Sequence, residues 1–419
     1  MNDKSSLVYK INRSCLKGAV HLSGAKNSAL KLLTASLLTE GAIELYNYPT
    51  AISEARIHVE MLEKLGKTCL VKDGHITISE DKNILNHLEW EGRSIRNTLL
   101  ILGALVARTG YGAVPSPGGC KIGERKYDLH IMILQSMGAE VWEEDGMLMA
   151  KRSKPRLTGA DIHLPMRSTG ATENAILCGT LAEGTTRVWN PHIRPEILDL
   201  ISMLRAMGAR ITIHGLEHIC IEGTEGLNGA RHTVIPDSME ALTWAIGSVI
   251  TGGDVEIHGF PYGHLEIPLI FLRESGAQFY RKEHALIVKG GKCYPLDIST
   301  GSYPGINSDM QPLFAIFGFC AQGVSHIIDL RFPGRYRYAE EIAKLGGKYK
   351  IEEEMLCIFG GEKLRGAEVV ATDLRAGAAL ALAGLVAEGQ TLINDAWQIN
   401  RGYNCFYEKM RSLGADLTC

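Results

Sequence analysis

Apolar positions along the chain keep helical and strand rhythms in alternation. Ile197, Leu200, Ile201 and Leu204 fall at i, i+3, i+4 and i+7, one face of a helix over 196–207. Gly208 stands where a left-handed C′ residue ends such a helix. Around it the pattern predicts an apolar helix over 171–183, a strand over 185–190 and two short strands over 210–214 and 218–222. With a strand ahead of its first helix, the segment reads βαβαββ. The same helix ending recurs at Gly66, Gly138, Gly208, Gly276, Gly346 and Gly414, and a second glycine series runs Gly41, Gly110, Gly184, Gly252, Gly323 and Gly389. Both series repeat about every 70 residues, which predicts six equal units filling the chain.

Six units grouped as two sets of three predict two similar α/β domains, residues 25–235 and residues 236–419 plus 1–24, meeting at a cleft. The sixth unit stops at Cys419 short of its last strand, so the segment over 6–12 is expected to complete it. The first helix of each unit is apolar almost all round and belongs in the interior, whereas the second is amphipathic and half exposed.

Composition narrows the function classes. The 419 residues include 44 Lys and Arg against 47 Asp and Glu, a formal charge of −3, without the basic excess expected of a nucleic-acid binder. The longest apolar run, Ala376 to Ala387, is too short for a bilayer, which takes about 20 residues. The first residues are polar and lead into no signal-type segment, so a cytoplasmic protein without a membrane partner is expected. Ten cysteines lie scattered with no Cys-x-x-Cys pair, so neither a disulfide scaffold nor a zinc site is expected. Nothing in the pattern speaks to oligomeric state.

Candidate chemistry lies where the units differ. The first helices are expected to open near Asn27, Arg96, Ser168, Asp237, Asp309 and Asp373. These are capping residue types for the most part, yet converging helix N-termini also make an anion site. Lys26, Arg96 and Arg375 add cations at those ends. The second unit carries an extra loop, Pro115 to Arg125, that sets Cys120 between Lys121 and Arg125; nearby positive charge lowers a thiol pKa and raises its reactivity. Equivalent loops of the fifth and sixth units hold Arg335 and Arg401. Guanidinium groups brought together in this way suit a carboxylate or phosphate ligand.

The segments Ser23-Gly24-Ala25-Lys26-Asn27, Pro117 to Gly123, Arg125 with Asp128-Leu129-His130, Ser308 to Gln311, Asp373 to Ala376 and Arg401-Gly402-Tyr403 resemble the enolpyruvyl transferases over the whole length of the chain. The Gly-Gly-Cys loop is similar to the branch that acts on UDP-sugars. The resemblance implies two inverse α/β-barrel-like domains, each of three βαβαββ units. It also implies transfer of the enolpyruvyl group of phosphoenolpyruvate to a hydroxyl of UDP-N-acetylglucosamine, the first step of peptidoglycan precursor synthesis, with no cofactor and no metal. Cys120 would protonate C3 and Asp309 would take the acceptor hydroxyl proton, with Lys26 and Arg401 also in the catalytic set. Lys26, Arg125 and Arg401 would hold the phosphate of phosphoenolpyruvate and Arg335 and Arg375 its carboxylate, with Asn27 also in that substrate's binding set. The acceptor would lie against Arg96, Arg125, Lys126, Tyr127, Asp128, Leu129, Met166, Arg167, Ser168, Thr169, Asp309 and Arg331.

Departures from the family pattern gather on the acceptor side. Ile52 replaces a lysine, Lys126-Tyr127 replaces Pro-Val, Met166-Arg167 replaces a segment that often holds a lysine, Arg194 replaces an acid, and Arg331 replaces an apolar residue. A different acceptor, for example a nucleoside monophosphate in a specialised pathway, therefore stands as an alternative. A non-catalytic nucleotide-sugar-binding paralogue is the second alternative; the retention of Cys120, Asp309 and the anion-binding cations argues against it.

Overall fold

The computed structural model describes residues 7–93, 95–117 and 127–419. Cys120, Arg125 and Lys126, all candidates above, lie outside them. The chain divides into two compact units, Gly24–Ile235 and Met1–Ser23 with Pro236–Cys419, so it crosses between them twice.

In the 24–235 unit three nearly fully buried helices, Lys26–Ala35, Thr98–Thr109 and Thr169–Thr180, form the interior. Thr98–Thr109 packs on both of the others. Three sheets accompany them. One runs Ala230–Thr233, Ile43–Tyr46, His75–Ser79, Thr68–Lys72; another runs Arg210–His214, His218–Glu222, Thr185–Trp189, Asp161–His163; the third has the strands Tyr111–Pro115, Met147–Arg152 and Ala139–Glu144. The amphipathic helices Ser53–Lys64, Asp128–Ser136 and Pro195–Ala206 bury only one side, as the helical spacing of Ile197, Leu200, Ile201 and Leu204 predicts.

The other unit is built alike. Helices Ser238–Ile250, Gln311–Cys320 and Leu374–Val386 pack pairwise in its core. N-terminal strands complete two of its sheets. Lys17–His21 pairs parallel with Asp254–His258, while Tyr9–Asn12 lies antiparallel to both Gln390–Asn394 and Leu417–Thr418. Ile11, on that strand, is fully buried, so pairing and core packing hold the N-terminal segment together.

Among the described residues every sheet is open, so the strands make no closed barrel. Gly66, Gly138, Gly208, Gly276, Gly346 and Gly414 all take positive φ after their helices, the conformation that admits glycine without a Cβ penalty. Gly41 differs from the rest of its series. A Cβ there would lie 2.2 Å from the Gly229 backbone nitrogen, so close approach of two chain segments is what requires glycine.

Helix starts correct the sequence reading in part. Ser168, Asp237 and Asp373 are N-caps whose side chains accept backbone N–H bonds. The other three helices begin at Lys26, Thr98 and Gln311, so Asn27 sits inside its helix while Arg96 and Asp309 precede theirs. Asp309 is freed from capping because its carboxylate has an arginine partner instead.

Candidate active site

In the unit containing 236–419, three segments place charge together. Asp309 lies just ahead of helix Gln311–Cys320, Arg335 follows strand Val324–Ile328, and Asp373 with Arg375 opens helix Leu374–Val386. Arg335 Nη1 donates to Asp309 Oδ1 at 3.0 Å and to Ser308 Oγ at 3.1 Å, and its Nη2 lies 3.6 Å from Asp373 Oδ2. Arg375 Nε lies 3.6 Å from Asp309 Oδ2, and its guanidinium sits 5.3 Å from the Tyr403 ring centroid. Asp373 uses its other oxygen to cap its helix, accepting from Arg375 N at 2.7 Å and Ala376 N at 2.9 Å.

A buried scaffold holds these groups. Asp329 accepts from Ser308 Oγ and, at 2.7 Å, from Gln311 Nε2; Tyr338 OH donates to Gln311 Oε1 at 2.5 Å. Tyr403 OH and Thr243 Oγ1 share a hydrogen bond of 2.8 Å. Burial opposes the charge of Arg335, but Asp309 and Asp373 outweigh it and hold its pKa above the usual value; for Arg375 burial is outweighed by Tyr403, Asp309 and Asp237. Both guanidiniums therefore stay charged.

Their donors are nonetheless not all used. Nε and Nη2 of Arg335, and Nε and Nη1 of Arg375, are buried and make no hydrogen bond. Leaving such a donor unmade costs about 1–3 kcal/mol, so the arrangement favours an incoming planar anion. Arg401, 6% exposed, donates to Gln398 Oε1 at 2.7 Å. Arg331 donates its backbone N–H to Asp329 Oδ1, and its guanidinium lies 5.8 Å from the Phe332 ring centroid.

The 24–235 unit carries a second set of candidates. Lys26, only 8% exposed at the start of its helix, places Nζ 2.6 Å from Glu54 Oε2, while Arg93 approaches Glu54 Oε1 at 3.8 Å. Asn27 is half-buried one residue on. Ser168 Oγ accepts from Ala171 N at 3.4 Å, and Thr169 Oγ1 meets His192 Nδ1 at 2.9 Å. Arg96 and Arg167 are half-buried, Met166 and Asp128 exposed and Leu129 half-buried. Tyr127 OH donates to Glu143, which raises the phenol pKa. Two departures have structural partners: Ile52 is 1% exposed within the core, and Arg194 forms a two-point pair with Glu196 at 2.7 and 2.8 Å.

Sequence reasoning missed Glu54, Asp329 and Tyr338 as members of these networks. An acid in the first turn of helix Ser53–Lys64 reads as ordinary dipole compensation, and no spacing signals that it meets Lys26. Among the described residues no His, Cys, Asp or Glu group could hold a metal ion, and no helix is long and apolar enough to cross a membrane.

Residues 11–410 match the family described as EPSP synthase (3-phosphoshikimate 1-carboxyvinyltransferase). A UDP-N-acetylglucosamine 1-carboxyvinyltransferase 1 of Caldanaerobacter subterraneus is 40% identical over 403 residues, covering 96% of each chain. A UDP-N-acetylglucosamine 1-carboxyvinyltransferase of Paracoccus denitrificans is 37% identical over 410 residues, 96% of this chain and 95% of its own. Among solved structures, the enolpyruvyl transferase NikO of Streptomyces tendae superposes with a TM-score of 0.89 at 25% identity over 98% of both chains. An EPSP synthase of Acinetobacter baumannii gives 0.78 at 20% identity, over 98% of this chain and 100% of that one, a likeness of fold. The mixed α/β fold is that of the enolpyruvyl transferases, and the chain belongs to this carboxyvinyltransferase family.

Proposed function

We propose that the chain transfers the enolpyruvyl group of phosphoenolpyruvate to a hydroxyl of UDP-N-acetylglucosamine, releasing phosphate, as the first step toward a peptidoglycan precursor. The observation that carries the reading is the buried Arg335–Arg375 pair beside Asp309, with hydrogen-bond donors left over for a carboxylate. Relatives near 40% identity bearing that acceptor in their names support the choice of acceptor.

In this reading Cys120 delivers a proton to C3 while Asp309 takes the proton of the attacking hydroxyl. The hydroxyl oxygen bonds to C2, and the tetrahedral intermediate loses phosphate and a C3 proton to restore the vinyl group. Arg335 and Arg375 grip the carboxylate, and Lys26, Arg125 and Arg401 the phosphate. Preorganised cations stabilise the charge without reorganising during the reaction. Arg96, Lys126, Tyr127, Asp128, Leu129, Met166, Arg167, Ser168, Thr169 and Arg331 face the acceptor. The sixfold βαβαββ repeat, three units to a domain, and a cytoplasmic location belong to the same reading.

A second reading, an enolpyruvyl transferase for another nucleotide, is favoured by one feature. Lys126, Arg167 and Arg331 bring positive charge at positions implied to serve the acceptor, while Ile52, where the family has a lysine, is packed in the core, so its side chain has no route to a phosphate. Phosphate release from phosphoenolpyruvate, measured with UDP-N-acetylglucosamine beside UMP, UDP, other UDP-sugars and shikimate 3-phosphate, separates the two. Cys120→Ala is the control. Turnover with UDP-N-acetylglucosamine supports the first reading, and turnover only with another acceptor replaces it. Silence on all acceptors despite phosphoenolpyruvate binding overturns both in favour of a binding protein.

A further inference from the structure

Within the 24–235 unit a charged residue sits where none is needed for packing. Glu173 belongs to the buried face of helix Thr169–Thr180 and is 1% exposed, yet its Oε1 makes no hydrogen bond. Its Oε2 lies 3.6 Å from Lys31 Nζ, on helix Lys26–Ala35. Lys31 in turn donates to Asn97 Oδ1 at 2.9 Å, and Asn97, immediately before helix Thr98–Thr109, returns its amide to Leu30 O at 3.0 Å and Thr34 Oγ1 at 2.9 Å. One chain of polar contacts, Thr34–Asn97–Lys31–Glu173, thus ties all three interior helices together. It lies close behind the helix starts that carry Lys26 and Asn27, Arg96, and Ser168 with Thr169.

We infer that Lys31 and Glu173 form an ionic staple that positions these three helix ends, making Glu173 a positioning residue for substrate binding whose grip depends on its protonation. A buried ion pair is a poor source of stability compared with apolar packing but fixes geometry, because each charge requires its partner. Burial pushes the Glu173 carboxyl up to about 7, against the opposing pull of Lys31 and Arg194 and with a further push from Glu196. The other groups nearby are His58, whose Nδ1 lies 3.2 Å from Asn97 Nδ2 and which feels Lys31, His130, whose Nε2 lies 3.0 Å from the point a Cβ on Gly170 would occupy, and Arg96, which acts on His130. Burial keeps both imidazoles neutral over the range tested, and Asn97 contributes an amide without charge. Proton loss from Glu173 near neutrality therefore tightens the staple, and proton uptake relaxes it.

The KM arm of the test rests on the transferase reading, and the melting arm does not. Glu173→Gln keeps the shape and cannot ionise. Because Glu173 binds its proton more tightly folded than unfolded, the parent should lose melting temperature relative to Glu173→Gln as pH rises from about 4.5 to 7, with no further change above. In steady-state assays the parent KM for the acceptor should fall several-fold between pH 6 and 8, kcat keeping the same profile as in Glu173→Gln, whose KM stays flat across this range. Lys31→Met/Glu173→Met, an apolar replacement, should remain folded at pH 8 with KM raised at least fivefold. Melting differences independent of pH, or a double variant with parental KM, overturn the staple. A pH-dependent melting difference in a protein that turns over no acceptor leaves the ionisation standing and sinks the transferase reading instead.

Discussion

Arg335 holds Asp309 at 3.0 Å, yet keeps two buried nitrogens, Nε and Nη2, without a hydrogen bond, Asp373 lying 3.6 Å from the second. In the proposed reaction the carboxylate next to it accepts a proton from the attacking hydroxyl. In that reaction one guanidinium would thereby orient the base with one nitrogen and offer others to substrate. Lysine cannot do both, since its ammonium is a point charge without the planar fork. Arg335→Lys is expected to raise KM for phosphoenolpyruvate by roughly 10- to 100-fold, the loss of about 1.4–2.7 kcal/mol, while the fold is retained. Steady-state kinetics together with a thermal melt check both parts.

Asp373 combines two tasks, a helix cap through Oδ1 and a charge beside Arg335 through Oδ2. Its Oδ1 caps helix Leu374–Val386 through bonds of 2.7 and 2.9 Å, whereas Ser168 caps Thr169–Thr180 through one long contact of 3.4 Å. Removing a well-made cap costs about 1–2 kcal/mol, and a stretched one less. Denaturant unfolding of Asp373→Ala, which removes the cap together with the charge beside Arg335, should therefore show a loss of at least that size, with Ser168→Ala losing under half as much. Equal losses would mean the short bonds of Asp373 are not what stabilises its helix.

Two buried histidines of the 24–235 unit resist protonation. Burial drives the His58 imidazole down to about 3, with Lys31 adding to the shift, and His130 to about 3, with Arg96 and Lys31 contributing. Their folded pKa lies below the unfolded value, so the unfolded chain takes up protons first. Stability should fall as pH drops from about 6.5 toward 3, by on the order of 4 kcal/mol for each site. His58→Gln, which can still accept from Asn97 Nδ2, should flatten that decline in acid unfolding followed by circular dichroism. A parent and variant with identical acid profiles would show that His58 is not among the groups responsible.

These networks also mark where sequence reading stops. The spacing of Ile197, Leu200, Ile201 and Leu204, and glycines with positive φ such as Gly208, were legible because helix burial and helix ending are local properties. Asp309, Arg335 and Arg375 could be singled out as cations and an acid on loops or helix starts. Their mutual distances could not, because they lie in three segments separated by tens of residues. Glu173 was illegible for a different reason. A single acid in a helix otherwise suited to burial reads as a solvated edge, and its partner Lys31 lies on another helix with no shared period. Capping at Asp309 was misread because residue type is a weak guide when a tertiary partner, here Arg335, competes for the same side chain.

Lys26 poses the last test, since its Nζ is engaged by Glu54 at 2.6 Å with both side chains about one-tenth exposed. A phosphate arriving at Lys26 has to share this ammonium with a carboxylate that already neutralises it. Glu54→Gln takes the counter-charge away from Lys26 and also from Arg93, which faces Glu54 at 3.8 Å, and should cost the ligand-free protein about 3 kcal/mol. Phosphoenolpyruvate should then restore part of what was lost, because a ligand that binds only the folded state stabilises in proportion to its affinity. The melting-temperature gain on adding phosphoenolpyruvate should be larger for Glu54→Gln than for the parent, and its dissociation constant several-fold lower. If the gain is unchanged or smaller, Lys26 does not meet the phosphate and the pair with Glu54 is purely structural.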